Sequence, residues 1–339
     1  MKSVRRMHRN ESPYPPSPQV IKAIREWIDK VNNYSDPDLW RELASALEKY
    51  TGFPKSMLVF APGSLSLIRI AITIALKNHG RLITYRPTFE AIPAFSKSYG
   101  VNLYMVTLRP RDFELDISQI LNLKPKRNDI IYISNPNNPT GNIVIKSKSH
   151  LEELLSTEAL VVLDEAYYEF SGVSYADLVK HWNNLVILRT LSKAFCIAGL
   201  RLGYAIASEE LIREFRSLAS PFDISLLTYV AAIEALNNLE YMRDIVRKII
   251  NERERVYREL LRLKGVKPYK SHANFILISL EDLGIESHVA HEYFKNKGIL
   301  INVYPYEELL RYCIRVTISK AEDNEYFLES LKKLIEEKT

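Results

Sequence analysis

Seven short apolar runs constrain this chain more than any other feature of it. They are Leu58-Val-Phe60, Arg81-Leu-Ile-Thr-Tyr85, Val101 to Val106, Ile130-Ile-Tyr-Ile133, Leu160-Val-Val-Leu163, Leu185-Val-Ile-Leu188 and Gly203 to Ala207. Most are apolar at successive positions, and helical stretches such as Leu65–Leu76 separate them. A strand of that kind needs cover on both faces, which predicts an α/β fold with a mostly parallel sheet between layers of helices. In such sheets ligands bind beyond the carboxyl ends of the strands. Gly63, Asn138, Asp164 and Lys193 all follow candidate strands, so one pocket can hold all four.

At 339 residues two domains are the expectation. The proline-rich stretch Asn10 to Pro18 reads as an extended arm, and Ser17-Pro18 as the start of a first helix. From Tyr241 a charged amphipathic helix leads into shorter strands and helices. The expected division is an arm with the first helix over 1–30, packing with the small domain, a large domain over 31–240, and a small α+β domain over 241–339. The net charge of +5 is modest and spread out, so the basic start from Lys2 to Arg9 reads as a solvated tail. Cys196 and Cys313 read as reduced core residues. No apolar run reaches membrane-spanning length, and cytoplasmic localisation is the expectation.

The stretch Thr190-Leu-Ser-Lys-Ala-Phe-Cys-Ile-Ala-Gly-Leu-Arg201 carries the first chemistry. A lysine amine forms Schiff bases with carbonyl compounds and with pyridoxal phosphate. Thr190, Ser192 and Arg201 beside Lys193 suit a phosphate, since a guanidinium binds phosphate through paired hydrogen bonds. Gly63-Ser64 opens a helix after a strand: it is either an anion site or simply a helix cap. Pyridoxal phosphate also needs an acid against its ring nitrogen, and Asp164 at a strand end fits. Tyr167 and Asn138 suit the ring's phenolic oxygen, and Phe89 its face. Taken singly, each of these residues has an ordinary structural use; the ordered set is what calls for one cofactor.

Asn135-Pro-Asn-Asn-Pro-Thr-Gly141, Asp164-Glu-Ala-Tyr167, Arg189-Thr-Leu-Ser-Lys-Ala-Phe195 and Ala198-Gly-Leu-Arg-Leu-Gly-Tyr204 together resemble fold-type I aminotransferases of the histidinol-phosphate aminotransferase group. The resemblance runs nearly end to end, from Asn10-Glu-Ser-Pro-Tyr14 and Tyr34-Ser-Asp-Pro37 to Ala273-Asn-Phe275 and Ile314-Arg-Val316. It implies a sheet of the seven-stranded type and a pyridoxal-phosphate enzyme of histidine biosynthesis that moves an amino group to a 2-oxo acid such as 2-oxoglutarate. It implies Lys193 as the Schiff-base lysine and proton shuttle, Arg315 as the clamp on the substrate's carboxylate, and Tyr14 at the substrate entrance. It further implies a homodimer in which Tyr34 reaches the neighbouring cofactor's phosphate.

Three positions depart from the family's pattern. Phe89 stands for a tyrosine, Leu65 for an acidic residue whose backbone N–H meets phosphate, and Asn302 for an arginine that binds the substrate's phosphate. Two outcomes stay open: Arg311, Arg86 or Arg9 replaces that last charge from another direction, or the substrate is an unphosphorylated, for example aromatic, amino acid. Threonine-phosphate decarboxylases of cobalamin synthesis share the same motifs and stay open as an alternative. Regulators that fuse such a domain to a DNA-binding module are not expected, because the arm begins within about ten residues; neither nucleic acid nor membrane is an expected partner, and no metal is expected.

Overall fold

In a computed structural model, which describes residues 4–220 and 222–337, the apolar runs form one seven-stranded sheet. After an arm strand β1 (Arg5–Arg6), its members are β2 (Leu58–Ala61), β3 (Leu82–Arg86), β4 (Leu103–Thr107), β5 (Ile130–Ser134), β6 (Leu160–Asp164), β7 (Leu185–Thr190) and β8 (Gly203–Ala207). Their spatial order is β2-β8-β7-β6-β5-β3-β4. The pairs from β7 across to β4 are parallel, whereas β8 runs antiparallel to both β7 and β2. The link from β7 to β8 carries only a short turn of helix, Ala198–Leu200, which is too little for a crossover, so β8 returns beside its predecessor.

Side chains alternate across the sheet. Ile131, Ile133, Val161, Leu163 and Ile187 enter one core layer, and Ile130, Tyr132, Val162, Val186 and Leu188 the other. Both layers are dry, which is why these strands lack a polar face. Each such side chain contributes about 1.5–3 kcal/mol on burial. Two helices precede the sheet, α1 (Pro18–Trp27) and α2 (Pro37–Thr51). The helix after β2, α3 (Ser64–Lys77), carries buried apolar residues around much of its circumference and packs between the sheet and the helix Glu209–Leu218.

A second, antiparallel sheet contains β9 (Lys267–Pro268), β10 (Phe275–Ser279), β12 (Asn302–Val303) and β13 (Cys313–Thr317), in the order β12-β13-β10-β9. The separate strand β11 (Ile299–Leu300) pairs in parallel with β1 of the arm. The arm and the first helix part company, however: α1 packs on the helix Leu226–Asn237, where its buried Val20 and Ala23 meet an apolar surface. The first helix, expected with the arm against the small domain, thus lies on a helix within residues 31–240. Of the basic start, Lys2 lies outside the described residues. Cys313 is buried and Cys196 half-buried, and both are free thiols. Among the described residues no helix is long and apolar enough to cross a membrane.

Candidate active site

A cavity of about 550 Å³ opens beyond the carboxyl ends of β5, β6 and β7. Lys193, Asp164, Tyr167, Asn138, Phe89, Ser64, Leu65, Thr190, Ser192, Arg201, Arg315 and Asn302 all line it. Gly63 lies just behind the wall, against Arg201. Two expected residues are elsewhere. Tyr34 is 80 % exposed and packs at a tilt against Phe222, 4.9 Å between centroids. Tyr14 is held by the proline run, with its ring near the Lys248 and Lys320 amines.

One end of the cavity is built for an anion. Gly63 caps α3 with φ +76 and offers no side-chain bond, so the N–H groups of Ser64 and Leu65 have no acceptor among the described residues. A Cβ on Gly203 would stand 2.2 Å from the Ser64 nitrogen, so only glycine lets β8 approach the start of α3. Arg201 crosses Gly63, and its guanidinium donates to the Ser192 hydroxyl at 3.4 Å and the Ala198 carbonyl at 3.1 Å.

Asp164 ends β6 and is 4 % exposed. Its Oδ2 accepts from the Tyr132 hydroxyl at 2.8 Å and its Oδ1 from the Ala166 N–H at 3.1 Å. Burial pushes its carboxyl up to about 6, while those two hydrogen bonds pull the other way. The next residue, Glu165, is fully buried and pairs with Arg189 at 2.9 Å, which fastens the end of β7 to the residue following Asp164. The Tyr168 ring covers that guanidinium at 3.7 Å.

Lys193 points into the cavity and donates to the Arg9 carbonyl at 3.1 Å. Burial, then the cations Arg315 and Arg201, lower its amine to about 8. Across from it, Arg315 on β13 donates to the Asn138 side-chain oxygen and, at 2.6 Å, to the His8 carbonyl. Of the three candidate arginines for the charge missing at Asn302, only Arg9 borders the cavity. Arg311 is committed to Glu286 at 2.6 Å, and Arg86 to Thr107 at 3.2 Å.

Sequence reasoning missed Tyr132, His8, Asn10 and Tyr304 as wall or support residues. Tyr132 carried a signal, being a phenol inside a strand whose neighbours are aliphatic, and a buried phenol needs a partner. The arm residues carried little, because His8 and Arg9 reach Arg315 and Lys193 through their carbonyls.

An amine lowered toward neutrality, a buried carboxylate supported only by neutral donors, and a helix start with free N–H groups beside an arginine fit pyridoxal phosphate at its aldehyde, ring nitrogen and phosphate in turn. A mostly parallel sheet with that site at its carboxyl edge defines a pyridoxal-phosphate-dependent transferase of fold type I. The chain belongs to the class I and II aminotransferases, whose family model matches residues 3–331. It is 34% identical over 334 residues to a histidinol-phosphate aminotransferase of Thermoanaerobacter pseudethanolicus, covering 97% of this chain and 93% of that one. The fold is also that of the crystal structure of the histidinol-phosphate aminotransferase from Clostridium acetobutylicum, at TM-score 0.88 and 24% identity, over 98% of this chain and 100% of that one. The enzyme from Sinorhizobium meliloti, solved in complex with pyridoxal-5'-phosphate, matches at TM-score 0.85 and 23% identity, over 99% of this chain and 92% of that one.

Proposed function

We propose that this enzyme transfers the amino group of histidinol phosphate to a 2-oxo acid such as 2-oxoglutarate. The observation that carries the reading is the 34% identity to a histidinol-phosphate aminotransferase over 97% of the chain. The convergence of Lys193, Asp164 and Arg315 on one cavity supports it.

Pyridoxal phosphate, when bound, supplies an electron-accepting ring for the carbon that bears the substrate's amine. Ser64, Leu65, Thr190, Ser192, Arg201 and the turn at Gly63 would hold its phosphate. Asp164 would keep the ring nitrogen protonated, since an ionised carboxylate in a dry pocket favours a cation beside it. Phe89 would cover the ring, and Tyr167 with Asn138 would bond its phenolic oxygen. Lys193 would hold the aldehyde carbon and, once released from it, carry a proton between the substrate's carbon and the cofactor. An amine near 8 is a competent base at neutral pH, because a useful fraction of it is uncharged. Arg315 would clamp the carboxylate of the 2-oxo acid with its planar fork. Asn302 would face the substrate's distal phosphate, with Arg9, which borders the same cavity, as the candidate to supply charge.

The same reading makes the enzyme a cytoplasmic homodimer acting on small molecules. The exposed pair Tyr34 and Phe222 supports a partner subunit on that face, with Tyr34 reaching the neighbouring site and Tyr14 near the substrate entrance. It also treats residues 31–240 as the cofactor-binding unit and 241–339 as the smaller one.

The test is a single-turnover spectrum of the cofactor-loaded protein mixed in turn with histidinol phosphate, glutamate, aromatic amino acids and threonine phosphate. Histidinol phosphate should bleach the visible band and leave the amino form of the cofactor. Conversion by unphosphorylated amino acids alone would remove the proposed substrate, and carbon dioxide released from threonine phosphate would replace transfer by decarboxylation.

A further inference from the structure

Three consecutive residues of the arm reach the cavity. His8 and Arg9 do so through carbonyls, but Asn10 does so through its side chain, and each of its own polar atoms has a partner. It is 2% exposed and holds a left-handed backbone, φ 54, which Asn tolerates better than most side chains. Its N–H donates to the Thr317 hydroxyl at 2.9 Å, and that hydroxyl donates back to the Asn10 side-chain oxygen at 3.1 Å. Its carbonyl accepts from Asn274 at 3.0 Å. With the oxygen thus taken, the amide nitrogen turns to the remaining neighbour and donates to the Tyr167 hydroxyl at 2.9 Å.

The direction of that last bond matters. A phenol oxygen that accepts from an amide must send its own proton elsewhere. Among the described residues the Tyr167 hydroxyl donates to no group, and Tyr167 lines the cavity. Edge-on contact with Phe275, at 5.2 Å between centroids, holds the ring in place. The charged groups acting on the hydroxyl are Arg315 on β13 and Asp164 on β6.

We infer that Asn10 is a positioning residue: by donating to Tyr167 it aims the phenol's proton into the cavity, making Tyr167 a hydrogen-bond donor to the cofactor's ring oxygen. This rests on the functional reading above. A donor there stabilises negative charge on the ring oxygen, so the bound group releases its proton at lower pH.

The test is Asn10→Asp in the cofactor-loaded protein, read as the pH midpoint of the visible absorbance. A carboxylate can only accept, so Tyr167 must donate to it and turn away from the ring. The midpoint should rise by about one pH unit, the tenfold change that follows from losing one hydrogen bond to a charged oxygen. Tyr167→Phe should move it the same way. Adding Asn10→Asp to Tyr167→Phe should then add much less than it does alone. An unmoved midpoint, or an equal shift with and without the Tyr167 hydroxyl, overturns the inference. Where the aspartate variant does not fold, Asn10→Ala serves instead: its midpoint should rise by less than tenfold and only while the hydroxyl is present, and no rise overturns the inference. A wild-type protein that gains no visible band with pyridoxal phosphate defeats the functional reading and this inference together, whereas a coloured protein with an unmoved midpoint defeats the inference alone.

Discussion

Replacing Asp164 by Asn should make the cofactor-free protein's stability less sensitive to pH, and the structure sets the size of the change. The carboxyl is raised from 3.8 to about 6, chiefly by burial. At 1.36 kcal/mol per pH unit that rise corresponds to about 3 kcal/mol. The folded protein holds this proton to higher pH than the unfolded chain does, so ionisation costs folding free energy. The cost is absent below about pH 4, accumulates up to about pH 6 and is full above that. An amide has no proton to lose. Urea denaturation of the stripped wild type and of Asp164→Asn, across that range, should show the variant gaining on the wild type by up to about 3 kcal/mol. A constant penalty for setting an amide against the Tyr132 hydroxyl and the Ala166 N–H is superimposed, and it cancels when the difference is followed with pH. With the cofactor bound the order reverses, since the wild-type carboxylate then has a cation beside it and the variant does not. A stability difference that stays flat from about pH 4 to about pH 7 would refute the reasoning.

Arg315→Gln should cost about 2–5 kcal/mol in transition-state binding, at least about thirtyfold in kcat/KM, with the larger share in KM for the 2-oxo acid. Because Arg315 is also the largest charge lowering the Lys193 amine, the acidic limb of the pH profile, where that amine must lose its proton to act, should move up in the same variant. Gly203→Ala should push the first turn of α3 away, since its Cβ would stand 2.2 Å from the Ser64 nitrogen and 2.5 Å from the Gly63 carbonyl carbon. A cost of about 1–3 kcal/mol in thermal stability is expected, with weaker binding of pyridoxal phosphate in equilibrium dialysis; unchanged binding would show that the cradle is not where the phosphate sits. Glu165→Gln leaves the buried Arg189 without its anion and should cost about 3–5 kcal/mol in chemical denaturation, and a loss below about 1 kcal/mol would mean the pair does not fasten β6 to β7.

What the sequence made legible, and what it hid, divides along one physical line. Consecutive apolar residues announce a strand whatever its neighbours are, so the seven runs and the residues following them could be read directly, although β4, at the sheet edge, leaves Tyr104 and Met105 exposed and is not covered on both faces. The antiparallel return of β8 was not legible: the link from β7 is long enough for a crossover, and only the structure shows that it holds no more than the short turn Ala198–Leu200. Contacts made by backbone groups leave no such mark, since any residue brings a carbonyl. The stretch around Asn10 read only as a proline-rich extended arm, yet His8 and Arg9 offer their carbonyls to Arg315 and Lys193, the residues proposed to carry the chemistry. Asn10 itself could be singled out only once Thr317 and Asn274, some three hundred positions away, were known to saturate it. The same division separates cofactor from substrate. The groups proposed for the cofactor follow strands of one sheet, whereas those proposed to face the substrate come from the arm, β12 and β13, elements that meet only in three dimensions. The change at Asn302 therefore cannot be judged from its own position. Its consequence depends on whether the arm holds Arg9 over the same cavity, and that placement follows from the pairing of Arg5 and Arg6 with Ile299 and Leu300. A substitution that unpairs β1 from β11 should accordingly disturb the choice of substrate more than the binding of pyridoxal phosphate.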